Sequence, residues 1–116
     1  MPPMRSSDTA APGDIVIVPF PFTDREASKR RPALVCSAAA FNRNASHLVL
    51  AMITTSTHNP WPGDVEIRDL KCAGLPVASV VRWKLFTLDA SFVIRRAGAL
   101  SARDRGACRE RQPIAL

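Results

Sequence analysis

Two positions join a side chain fit for phosphate chemistry to the end of an apolar strand. Arg31 follows Lys29 and Arg30 and stands directly before Pro32, whose ring biases the preceding residue to an extended backbone. Thr54 closes the longest apolar run, His47-Leu48-Val49-Leu50-Ala51-Met52-Ile53-Thr54, and Thr55, Ser56 and Thr57 follow it. Arg and hydroxyl groups at strand ends suit phosphoryl transfer on RNA. RNA carries its own nucleophile, the 2′-OH, and asks only for a proton acceptor, a proton donor and stabilisation of the phosphorane charge. Arg is protonated under ordinary conditions, so it can stabilise the charge as it stands, while a part in proton transfer would need unusual surroundings. The plainer readings are a solvated Arg ending a basic loop and a hydroxyl tying off strand-end backbone groups.

Further candidates lie downstream. His58 and Trp61 share a loop, where the rings could stack on bases and His58 could act as a base near neutral pH. The plainer reading is a surface His and a half-buried Trp. Arg82-Trp83-Lys84 interleaves cations with an aromatic, a strip suited to single-stranded nucleic acid, or else a solvated edge strand whose Trp packs inward. Arg95-Arg96 and the cluster Arg103, Arg105, Arg109 and Arg111 read as solvated faces.

Other chemistries find little support. Carboxylates are scattered and His47 and His58 share no ligand spacing, so no metal site is expected. There is no G-x-S-x-G, no phosphate-binding G-x-x-x-x-G-K-[ST] and no G-x-G-x-x-G, so neither a serine hydrolase nor a nucleotide cofactor is expected. Cys36, Cys72 and Cys108 are odd in number and widely spaced, which reads as incidental thiols rather than a disulfide framework.

With 16 Lys+Arg against 10 Asp+Glu, the net charge is +6 and the isoelectric point near 10.3. Most of that charge is Arg, whose planar fork grips phosphate, although an Ala- and Arg-rich composition also follows from a GC-rich genome. An apolar fraction of 47% excludes disorder as the main state, and no run is long enough to span a bilayer. Met1–Pro12 lacks the apolar core of a secretory signal, so a cytoplasmic protein is expected.

The elements that must position these residues are mainly strands. The 116 residues suit one domain. Residues 1–12 read as a flexible tail and 13–116 as a single domain. Ile15–Val18, Pro32–Cys36, His47–Thr54, Asp64–Arg68, Ser79–Val81, Leu85–Leu88 and Phe92–Ile94 read as strands, with Thr23–Arg30 and Thr55–Pro62 as loops. Ala38–Ser46 is a short helical or irregular crossing. Ser101-Ala102-Arg103-Asp104 fits a capping box that opens a terminal helix, which Pro113 stops. The fold class is mainly β with short helices: a small, strongly curved sheet or partial barrel with a C-terminal helix.

In order along the chain, Gly13-Asp14-Ile15-Val16, Arg31-Pro32-Ala33-Leu34-Val35, Ile53-Thr54-Thr55-Ser56, Gly63-Asp64-Val65, Lys84-Leu85-Phe86-Thr87-Leu88-Asp89 and Gly98-x-Leu100-Ser101-x-x-Asp104 resemble the blocks of PemK/MazF-like toxins. The resemblance spans roughly residues 13–110. It implies an SH3-like barrel with short helices, a homodimer, and the toxin of a bacterial type II toxin–antitoxin pair. It also implies a sequence-specific, metal-independent endoribonuclease that cuts single-stranded RNA, often mRNA, to 2′,3′-cyclic phosphate and 5′-OH ends. The family's catalytic Arg falls on Arg31 and its catalytic Thr on Thr54. Arg25, Lys29, Arg30, Thr55, Ser56, His58, Trp61, Arg82 and Lys84 are the candidate RNA-binding residues, and the Thr23–Arg30 loop is expected to gate the RNA groove. An antitoxin with an acidic C-terminal segment would occupy the same basic groove. Two departures stand out: Arg25-Glu26-Ala27-Ser28-Lys29 replaces a Gly-rich stretch, and Arg82-Trp83 stands where members carry an acidic residue or Gln. The competing readings are a CcdB-like gyrase-poisoning interaction protein, which needs no Arg31/Thr54 pair, and a non-catalytic nucleic-acid-binding module of the same fold.

Overall fold

β-Branched and apolar residues in short runs build one six-stranded antiparallel sheet. The computed structural model of the chain describes residues 9–19, 29–56 and 59–113. The strands are β1 (Asp14–Pro19), β2 (Arg30–Val35), β3 (His47–Thr55), β4 (Val65–Glu66), β5 (Ser79–Asp89) and β6 (Arg95–Ala99), in the spatial order β4-β5-β3-β2-β1-β6. Three helices, α1 (Ala39–Ala45), α2 (Leu70–Ala73) and α3 (Ala102–Arg111), complete a curled half-barrel, the architecture expected from the sequence.

Both faces of the sheet are covered, which explains why β1, β2 and β3 read as unbroken apolar runs rather than alternating ones. On one face Ile15, Leu34, Ala51, Ile53 and Val81 pack with Ala73 of α2 and Cys108 of α3. On the other, Val16, Val18, Ala33, Val35 and Leu50 pack with Phe86 and Val93. Ala10, assigned to the tail from sequence, is buried in this second cluster, and its carbonyl accepts a 2.8 Å bond from the Asn42 side chain of α1. Asn42 also donates to the Ser37 carbonyl, while the Ser37 hydroxyl accepts from Val49 N–H, so α1 docks through a buried amide and leaves Phe41 exposed.

Four sequence expectations are corrected. Ser79–Val81 and Leu85–Leu88 belong to one strand, β5, whose register against β3 slips between Ala51↔Leu85 and Met52↔Arg82. Arg82-Trp83-Lys84 is therefore a bulged step within a strand rather than a gap between two. Phe92–Ile94 is not a strand: Asp89 caps a 3-10 turn at Ala90–Phe92, and the chain enters β6 only at Arg95. Asp64–Arg68 shrinks to the two residues of β4, and α2 follows it, closed by Gly74 at φ +73°.

The cap at Ser101 forms in half. Its hydroxyl accepts from Asp104 N–H at 3.2 Å, but the Asp104 carboxylate turns away from the helix start. It accepts instead from Arg68 N–H at 3.2 Å and Asp69 N–H at 3.0 Å, tying α3 to the corner between β4 and α2.

Candidate functional site

The register of β2 against β3 sets Ala33 opposite Met52, Leu34 opposite Ala51 and Val35 opposite Leu50. The pairing ends at Ala33↔Met52; continued by two residues, the same register would bring Arg31 level with Thr54. Side chains alternate between faces, so both lie on the face that bears Ala33, Val35 and Leu50. The flanking strands extend the row, with Val18 opposite Arg31 and Val80 opposite Thr54. Arg31 is half-buried with its Nε shielded from solvent. Thr54 is half-buried at the open end of the row.

The same alternation divides the other candidates. Arg30 and Thr55 are exposed and turn to the opposite face, and Lys29 and Ser56 are exposed at the strand ends. Ser56 N–H donates to the Ala78 carbonyl at 3.0 Å, which fixes the chain leaving β3. Arg25 and His58 lie outside the described residues, as does the Thr23–Ser28 part of the expected gating loop.

A second cluster forms on the turn before β4. Arg82 ion-pairs with Asp64 through a 2.8 Å Nη2–Oδ2 contact, adds a 3.2 Å bond from Nε to Oδ1, and donates from Nη2 to the Asn59 carbonyl at 2.9 Å. Hydrogen bonding from Arg82 holds the Asp64 carboxyl below its usual range, and the same bond raises the Arg82 guanidinium above its own. With both partners' side chains only 14% exposed, Arg82 is committed to the protein rather than free for a phosphate. Asp64 also accepts from Trp61 N–H at 2.9 Å, and its own N–H donates to the Trp61 carbonyl, closing the turn Trp61-Pro62-Gly63-Asp64. Gly63 takes φ +83°, which the third position of this turn requires. Trp83 is half-buried, as the plainer reading expected, and its Nε1–H donates to the Gly63 carbonyl at 2.8 Å. Lys84 Nζ sits 4.5 Å from the Trp61 ring centroid.

Asp64 is the residue that sequence reasoning passed over. Pro62-Gly63 announces a turn, but nothing local reveals a partner eighteen positions away. The thiols stand apart from both clusters. Burial pushes Cys36 up to about 12 and Cys108 up to about 11, which makes them poor nucleophiles at neutral pH. Among the described residues, no group of three His, Cys, Asp or Glu could hold a metal ion, and no helix is long and apolar enough to cross a membrane.

Comparison with known proteins yields a family and a set of solved folds. The family model for the PemK-like, MazF-like toxin of type II toxin–antitoxin systems matches residues 11–112. The structure of MazF (Form-I) from Deinococcus radiodurans superposes with a TM-score of 0.67 at 26% identity, covering 89% of this chain and 92% of that one. A MazE-MazF structure (Form-II) from the same organism also gives 0.67, at 24% identity, with 89% and 90% covered. Toxin MazF-mt6 of Mycobacterium tuberculosis gives 0.67 at 23% identity, with 84% and 89% covered. No curated protein sequence matches the chain significantly.

Proposed function

The chain belongs to the PemK-like, MazF-like toxins of type II toxin–antitoxin systems, and on that premise we propose that it is a metal-independent endoribonuclease of single-stranded RNA, mRNA included. The observation that supports this reading is the β2–β3 register, which, continued past Ala33↔Met52, would bring Arg31 level with Thr54 at one end of the sheet. In the proposed reaction the 2′-OH oxygen attacks the adjacent phosphorus and gives up its proton. The bond from phosphorus to O5′ breaks, and the leaving oxygen takes up a proton, so the products are a 2′,3′-cyclic phosphate and a 5′-OH. The Arg31 guanidinium faces the charge that builds on the non-bridging oxygens, with Nε held out of solvent where that attraction is strongest. The Thr54 hydroxyl donates to a phosphate oxygen and fixes the scissile group against the sheet. Lys29, Ser56 and the Trp61–Lys84 pair extend the RNA contacts on either side, while Arg30 and Thr55, on the opposite face, take no part in them.

The partner in this account is an antitoxin whose acidic C-terminal segment competes with RNA for the basic surface, and the working toxin is a homodimer. One solved neighbour is an endoribonuclease in complex with its cognate antitoxin from a mycobacterial species, matched at 16% identity and a TM-score of 0.66. The test is incubation of the protein with a long single-stranded RNA in EDTA, followed by mapping of cut positions and end groups. Discrete cuts with cyclic phosphate and 5′-OH ends are expected. Intact RNA across several sequences would contradict the reading and favour a gyrase-directed or purely binding protein.

A further inference from the structure

The brace around Asp64 is more elaborate than a surface turn needs. Three side chains converge on the six residues Asn59–Asp64, Arg82 on the Asp64 carboxylate and the Asn59 carbonyl, Trp83 Nε1–H on the Gly63 carbonyl and Arg111 of α3 on the Asp64 carbonyl at 3.2 Å, while within the turn Asp64 accepts from Trp61 N–H. What this rigid turn presents is an apolar ring. Trp61 is 42% exposed, and Lys84 Nζ lies 4.5 Å from its ring centroid. An exposed indole fixed in place with a cation behind it has little rotamer entropy left to lose on binding a flat partner.

Its location gives that partner an identity. Met52 pairs with Arg82, and β4 pairs with β5 so that Val65 stands opposite Val81 and Glu66 opposite Val80. Arg82 and Asp64 therefore share the sheet face of Met52, Thr54 and Arg31. β4 is two strand spacings from β3, about 10 Å. A single strand of RNA whose phosphate lies at Arg31 and Thr54 would pass the Trp61 ring within a few nucleotides.

We propose that Trp61, backed by Lys84, is the stacking platform for one unpaired base of the RNA, and that Asp64 and Arg82 are positioning residues that hold it there. This rests on the endoribonuclease reading and deepens it: the hold on that nucleotide is set by a ring whose pose depends on a charge pair that touches no RNA. Arg82, expected from sequence to bind RNA, acts through the turn instead.

The test uses a short single-stranded RNA containing the mapped cut site for KM and kcat, and the same RNA with a 2′-deoxy sugar at that site so that binding is read without cleavage. Trp61→Ala weakens binding and raises KM by roughly 5- to 100-fold, the range of base–aromatic stacking, and acts on KM far more than on kcat. Trp61→Phe restores most of the loss. Asp64→Ala and Arg82→Met, which open the brace from opposite sides, each reproduce much of the Trp61→Ala effect and add little to it when combined with it. An abasic nucleotide at the stacking position removes the difference between wild type and Trp61→Ala. Unchanged KM in Trp61→Ala while the wild type cuts RNA overturns this inference alone, as does full additivity of Asp64→Ala with Trp61→Ala. An RNA that the wild type neither binds nor cuts overturns the endoribonuclease reading together with it.

Discussion

Replacing Asp104 with Ala should loosen the joint between the terminal helix and the sheet. The carboxylate is 2% exposed, and two backbone N–H groups, of Arg68 and Asp69, donate to it at 3.0–3.2 Å. A hydrogen bond to a charged acceptor contributes about 1.5–3 kcal/mol, and the orphaned donors sit at a partly buried corner that water reaches only after local opening. Allowing for that relaxation, the loss is about 3 kcal/mol, a large share of the ~5–15 kcal/mol typical of a domain. With a urea slope near 2 kcal/mol per M, the unfolding midpoint should fall by about 1.5 M. Asp104→Asn keeps one acceptor oxygen and should lose about half as much. Hydrogen exchange localises the effect, because the Arg68 and Asp69 amides lose protection before the strand amides of β3 do. A midpoint shift below about 0.3 M, with those two amides still protected, would refute the reasoning.

Glycines give a contrast within one small region. A Cβ at Gly98 would overlap the backbone carbonyls of Cys72 and Ala73, whereas one at Gly106 meets nothing within 4 Å. Gly98→Ala should cost about 2–4 kcal/mol by forcing α2 off β6, and Gly106→Ala in α3 should stabilise by about 0.5–1 kcal/mol, both read from thermal midpoints. The Asp64–Arg82 pair carries a pH signature. A carboxyl held below its usual range contributes stability that is complete above the ordinary Asp value of about 3.9 and is lost as pH falls through the folded-state value. The stability gap between wild type and Asp64→Asn should therefore be widest at neutral pH and narrow as pH falls below the ordinary Asp value, checked by urea midpoints at pH 7, 5 and 3. A gap that grows on acidification would reverse the sign assigned to the pair.

Much of the fold was legible because local signals agreed with the tertiary result. The apolar runs around Ile15, Leu34 and Leu50 are strands buried on two faces, and Ser101 and Pro113 bracket α3 as read. Where tertiary pairing decided, local signals misled. Phe92-Val93-Ile94 has the composition of a strand, yet Asp89 turns the chain there, while the unpromising Arg95–Ala99 becomes β6 because β1 offers it a free edge. The four residues of α2 are too few to show a period, although Asp69 and Gly74 are its cap signals. The site was legible as residue types and not as geometry. Which face Arg31, Thr54, Arg30 and Thr55 take is decided by strand register, and the pairing of Arg82 with Asp64 depends on a bulge.

The central claim is that Arg31 stabilises charge in the transition state more than it binds the ground state. Single-turnover cleavage of an RNA with one mapped site, set beside affinity for its 2′-deoxy analogue, measures both for Arg31→Ala. The account predicts a cleavage rate lowered by at least about 100-fold, the scale of one lost transition-state donor, with affinity changed by less than about tenfold. Cleavage at the wild-type rate, or a rate that falls only in step with affinity, would contradict it.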